Sequence, residues 1–213
     1  MFISTKLSYK GLTLVSIILL LQLGVTLGLL NCLNEAEKEA EREALAKEIV
    51  GRTNGLIHKF YDAGVSLKGY ITSIDPDASA KYNELIEEIP RDITWLKQSM
   101  RGNSKAYQSV QNIEKHSKKM IALLKGAKAV SLEADTVKAE AYLHKFRENL
   151  QPVFDALVID VDVLIDSQKE ILEESPRLLA QARANTRNFI YVILTGNILV
   201  AILLALFFLH NIT

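Results

Sequence analysis

Two uncharged apolar runs, one near each end, constrain this chain more than any other feature. The stretches LTLVSIILLLQLGVTLGLL over 12–30 and FIYVILTGNILVAILLALFFL over 189–209 contain no Asp, Glu, Lys or Arg. As helices, nineteen and twenty-one residues reach roughly 28 and 32 Å, against a hydrocarbon core of about 30 Å. Both read as transmembrane helices.

The charges are segregated accordingly. All 25 acidic residues lie between Glu35 and Arg187, with all the basic residues except Lys6 and Lys10. That leaves the middle region at a net charge of −2, too small to attract nucleic acid or an anionic membrane surface. Lys6 and Lys10 before the first span place the N-terminus in the cytoplasm by the positive-inside rule. Arg183 and Arg187 then flank the second span on the outside, a mild departure that long external domains tolerate.

The first run is longer than a signal-peptide core and no A-x-A site follows it, so it reads as an uncleaved anchor. The sequence LLNC before Cys32 puts Asn31 where a lipoprotein signal needs a small residue. Cys32 is the sole cysteine, which excludes an intrachain disulfide. The expected layout is a cytoplasmic N-terminus over 1–11, a first span over 12–31 and an extracytoplasmic region over 32–187. A second span over 188–209 follows, and 210–213 begin a cytoplasmic linker. The expected location is a bacterial inner (plasma) membrane, with two passes and both termini cytoplasmic. A cytoplasmic effector is expected beyond Thr213.

The middle region is patterned as helix throughout. Apolar or small residues at Leu45, Ile49, Leu56, Phe60, Ala63, Leu67, Tyr70 and Ile74 mark one amphipathic stripe. Pro76 stops that helix near Ser73, with Asp75 as N-cap and Pro76 as first residue of the next. Tyr82, Leu85, Ile89, Ile93, Leu96 and Met100 form the second stripe, with a kink expected at Pro90. Ser104 is the expected cap of a third helix carrying Ala106, Val110, Ile113, Ser117, Met120, Leu124 and Ala127. In the fourth, Leu150, Phe154, Leu157, Val161, Leu164, Gln168, Ile171, Ser175, Leu178 and Ala182 alternate steps of four and three. That 3.5-residue period is a coiled-coil seam. The stretch 130–149 reads as helix, bend or both. The fold class is all-α: an antiparallel four-helix bundle whose first and last helices continue into the two spans.

No catalytic, cofactor-binding or metal-binding signature emerges. His58, His116 and His144 are never paired with a second ligand at helical spacing and read as solvated. There is no glycine-rich phosphate loop and no nucleophile elbow. The acidic clusters read as solvated helix faces, and Trp95 as core or dimer interface. Within the spans, Gln22 and Asn197 lie at depths about 3 Å apart near the midplane. Amides there need partners: each other, their own backbone, or their copies in a dimer, for roughly 0.6 to 2 kcal/mol.

The stretch DAGVSLKGYITSIDPDASAKYNELIEEI holds Gly69, Tyr70, Thr72, Asp75 and Tyr82, with Lys68 before the Gly-Tyr pair. It resembles the N-terminal sensor region of bacterial membrane-bound sensor histidine kinases, with an extracellular module of the CHASE3 type. That family often has Arg where this chain has Lys68. The closing FFLHNIT is similar to the point where a HAMP linker starts. The resemblance implies an input module of a two-component system: a homodimer in the lipid bilayer, acting through a HAMP and kinase region on a response regulator. It implies that this chain is no enzyme, and it transfers no ligand-binding residue. A chemoreceptor-like module and a structural membrane-anchored coiled-coil tether are the alternatives.

Overall fold

The computed structural model describes the backbone of residues 3–73, 75–133 and 136–212. Among these residues there is no strand. The helices are α1 (Ile3–Ser73), α2 (Pro76–Ser99), α3 (Ser104–Glu133) and α4 (Thr136–Ile212). The ambiguous stretch 130–149 therefore holds the end of α3 and the start of α4. The chain divides into one compact unit over Ala44–Leu172 and another formed by Met1–Glu43 and Glu173–Thr213.

The unit over Ala44–Leu172 holds the hydrophobic core. All four helices contribute, with Ile49, Leu56 and Phe60 from α1, Leu85, Ile89 and Leu96 from α2, Val110, Ile113 and Leu124 from α3, and Leu157, Val161 and Leu164 from α4. The second and third stripes are buried at every position named above, Ser117 included. The first stripe needs two corrections. Leu45 is 40% exposed and Ala46 takes its place inside, while the gap between Ile49 and Leu56 is filled by buried Thr53. Selecting by hydrophobicity picked the larger neighbour at 45 and passed over a threonine. Ile74 lies outside the described residues.

Caps explain where the helices start. Asp75 is extended (φ −73°, ψ 117°) and its carboxylate accepts from the Asp77 N–H at 2.9 Å, with Pro76 first in the helix. For α3 the cap is Asn103, not Ser104: the Asn103 side chain accepts from the Ala106 N–H at 3.2 Å, and Ser104 is already helical. Asparagine and serine cap comparably well, so residue type alone does not separate two adjacent positions. Helix α2 continues through Pro90, whose carbonyl accepts from the Thr94 hydroxyl at 2.8 Å.

Cross-helix contacts set the neighbours. Arg52 and Lys59 on α1 reach Asp92 on α2, and Gly69 faces Ala78. Lys97 on α2 meets Glu114 on α3, while Lys128 on α3 donates to Asn83 on α2. In both pairs the contacts fall in opposite order along the two helices.

The seam of α4 turns inward on its own chain. Leu157, Val161, Leu164 and Gln168 are buried, and the three aliphatic residues belong to the core cluster. Leu150 and Phe154 are only partly buried, and Leu178 is 38% exposed.

The unit formed by Met1–Glu43 and Glu173–Thr213 has the opposite character. Ser175 is its one buried side chain among the described residues. Leu19, Leu20 and Leu23 on α1 and Val192, Leu194 and Leu203 on α4 are more than half exposed. Among the described residues two helices are long and apolar enough to cross a membrane, and their most apolar windows are 0% buried. A helix that served as a soluble core would bury such a window. Gly28 meets the Phe189 ring closely: a Cβ at 28 would lie 2.5 Å from Phe189 Cζ. The side chains of Lys6 and Lys10, on which the orientation rests, lie outside the described residues.

Candidate functional site

Gln22 and Asn197 both have exposed side chains, and no hydrogen bond joins them among the described residues. The Gln22 backbone carbonyl accepts from the Thr26 hydroxyl at 2.9 Å, ordinary back-bonding one turn away.

The charged residues over Ala44–Leu172 are more organised than solvated faces. Asp92, with 13% of its side chain exposed, receives Arg52 at 3.1 Å and Lys59 at 2.7 Å. Lys59 also meets Glu88 at 2.8 Å. The Arg52 guanidinium lies 4.3 Å from the centre of the Trp95 ring, which is half-buried against the core. Trp95 thus closes the edge of the core beneath an arginine. His116 departs from expectation as well. Its side chain is 23% exposed and its Nδ1 sits 2.7 Å from Asp160 of α4. Asp160 is too distant in sequence for a spacing rule to find. His58 and His144 are exposed, as expected.

These pairs shift protonation in predictable directions. Burial alone would lower the Lys59 pKa, but hydrogen bonds to Asp92 and Glu88 outweigh it and leave it raised. Glu88 is lowered by its bond to Lys59, and Glu114 by Lys118 and then Lys97. Lys97 is raised by Glu114. A depressed carboxyl contributes stability above its unfolded pKa and loses it as pH falls through the folded value. A raised ammonium contributes below its unfolded pKa and loses it as pH rises through the folded value. Stability should therefore fall on the acid side of the ordinary glutamate value of 4.5 and on the alkaline side of the lysine value of 10.5. Thermal unfolding of the Lys59→Gln/Lys97→Gln variant should depend less on acid than that of the parent. An unchanged acid limb would show that these pairs are not its source.

Three buried polar side chains interrupt the core. Among the described residues the Thr53 and Ser117 hydroxyls have no hydrogen-bond partner, whereas the Gln168 amide donates to Ser167 Oγ at 3.0 Å. Tyr82 is buried too, which pushes its phenol up to about 12.

A cavity of about 590 Å³ opens between α1, α3 and α4, where the α4 seam leaves Leu150 and Phe154 partly covered. Its floor is apolar: Phe60 and Leu67 of α1, Met120 and Leu124 of α3, and Phe146 and Phe154 of α4. Tyr61, Lys68, Thr72, Arg147 and Gln151 supply its polar lining, and no acidic residue is among the lining residues. Gly64 forms part of the wall, and a Cβ there would meet nothing within 4 Å. Sequence reasoning missed this site. Its signal is a second α1 face, Tyr61, Gly64, Val65, Lys68 and Thr72, running beside the core stripe at helical spacing.

Among the described residues no group of His, Cys, Asp and Glu is arranged to hold a metal ion. Comparison with family models, curated proteins and solved structures found no match to this chain.

Proposed function

We propose that the chain is the input module of a membrane receptor of the two-component type. It would pass an extracytoplasmic stimulus through helix displacement to a cytoplasmic HAMP and kinase effector. One observation carries the reading. Helices α1 and α4 each contain both an exposed apolar stretch long enough for a membrane and a stripe in the hydrophobic core. Any ligand or partner that shifts that core therefore acts on the same two helices that would cross the bilayer. The proposed arrangement of the core is an antiparallel four-helix bundle lying outside the membrane, with both termini in the cytoplasm. The resemblance to CHASE3-type sensor regions of histidine kinases supports this assignment and implies a homodimer. Ile159 and Val163, exposed one turn apart on α4, offer such a dimer an apolar edge outside the core. An intramembrane contact between Gln22 and Asn197, or between their copies, belongs to the same proposal.

Topology reporters test the arrangement. A fusion at Gly102 should be active only outside the cytoplasm, and a fusion after Thr213 only within it. Activity of the Thr213 fusion on the outer side would remove the relay altogether.

A further inference from the structure

We propose that the cavity between α1, α3 and α4 binds a medium-chain carboxylate, the alkyl chain lying on the aromatic and aliphatic floor and the carboxylate held at Lys68 and Arg147. The shape argues for a chain-like ligand. Lining residues on α1 run from Phe60 to Thr72, about 18 Å along the helix axis, so the cavity is a groove parallel to the helices. Its volume of about 590 Å³ falls within the ordinary range for small-molecule sites, which pair apolar walls with few polar groups.

The charge argues for an anion. Lys68 and Arg147 are exposed at the cavity and have no ion pair among the described residues, whereas Lys59, Lys97 and Arg52 elsewhere in the same unit are all engaged by carboxylates. Asp62, Glu148 and Asp155 each follow a lining residue in sequence, yet none of them lines the cavity; Glu148 lies 3.5 Å from His144, and Asp155 accepts from Gln151 at 2.8 Å. Gly64 completes the case. Among the described residues nothing lies within 4 Å of a Cβ at that wall position, so a larger side chain there would extend into open space at the groove.

Binding here does not require the relay proposed above; a chain that bound the carboxylate without signalling would keep the site and lose the relay. The probe is radiolabelled decanoate, measured by equilibrium dialysis against the full chain in neutral phosphatidylcholine nanodiscs, with empty discs subtracted. Saturable decanoate binding is expected, with decyltrimethylammonium a much weaker competitor. Lys68→Gln/Arg147→Gln should weaken decanoate about tenfold and leave decanol unchanged. Gly64→Leu should block both, and Gly51→Leu, placed on α1 outside the cavity, should block neither. Circular dichroism melts confirm that each variant folds, and leucine in place of a helical glycine favours folding. Four outcomes would overturn the site: no saturable binding by the parent chain, equal competition by the cationic amphiphile, full binding by Gly64→Leu, or a groove covered in a dimer of the chain that excludes decanoate.

Discussion

Leu96→Ala is expected to lower the unfolding free energy of the helical core by about 3 kcal/mol. Leu96 is 0% exposed, sits on α2 one residue after Trp95, and belongs to the cluster that all four helices share. Truncation removes the transfer free energy of the lost methyl groups and leaves a void that the four surrounding helices close only in part. Thr53→Val, in the same core, should act in the opposite direction. Its hydroxyl is buried without a partner among the described residues, so folding strips it of water and returns no hydrogen bond. Replacing it with a methyl group should stabilise by about 1 kcal/mol. Trp95 is the sole tryptophan and lies at the core edge under Arg52, so its fluorescence reports denaturant unfolding of the full chain. A Leu96→Ala midpoint equal to the parent's would mean that α2 does not share the cooperative core. A destabilised Thr53→Val would mean that the hydroxyl is hydrogen-bonded after all.

Periodicity carried the fold where a helix has one buried face. On α2 and α3 every residue of the stripe is buried, because each of these helices presents one principal face to a single core, which on α2 also takes in Ile86 beside the stripe. On α1 the same rule erred at Leu45 and overlooked Thr53, since burial follows angular position and hydropathy is only its usual correlate. The 3.5-residue period of α4 was legible, but not where it points. Over Leu157 to Gln168 it serves the chain's own core, and at Leu150 and Phe154 it opens onto a cavity. Period fixes which residues share a face and says nothing of what covers that face. The cavity was hidden for a related reason: Gly64, Lys68 and Arg147 matter jointly only after folding, from positions on two helices far apart in sequence. The same holds for the pairing of His116 with Asp160 and of Asp92 with Arg52. The apolar ends were the most legible part, because a bilayer demands a long uncharged run wherever it is crossed by one helix.

The largest functional effect is expected from breaking α4 below the core. Inserting two glycines after Asn188 should uncouple input from output while leaving membrane insertion intact. Helix α4 runs from Thr136 to Ile212 and carries Asn188 in its interior. A continuous helix passes on axial and rotational displacement, whereas adjacent glycines, each costing about 1 kcal/mol in helix propensity, give a joint that absorbs both. Insertion of alanines separates a mechanical relay from mere loss of structure. One alanine turns everything after it by about 100° and four restore the phase to within about 40°. With a kinase effector of known output joined after Thr213, basal output should change sharply with one or two alanines and return towards the parent level with four. The two glycines should lock output at one level irrespective of helical phase. No stimulus needs to be identified for this measurement, because the inserted residues supply the rotation. Output that ignores both helical phase and the glycines, in chains shown to be inserted and folded, would leave α4 as a tether and the relay without a mechanism.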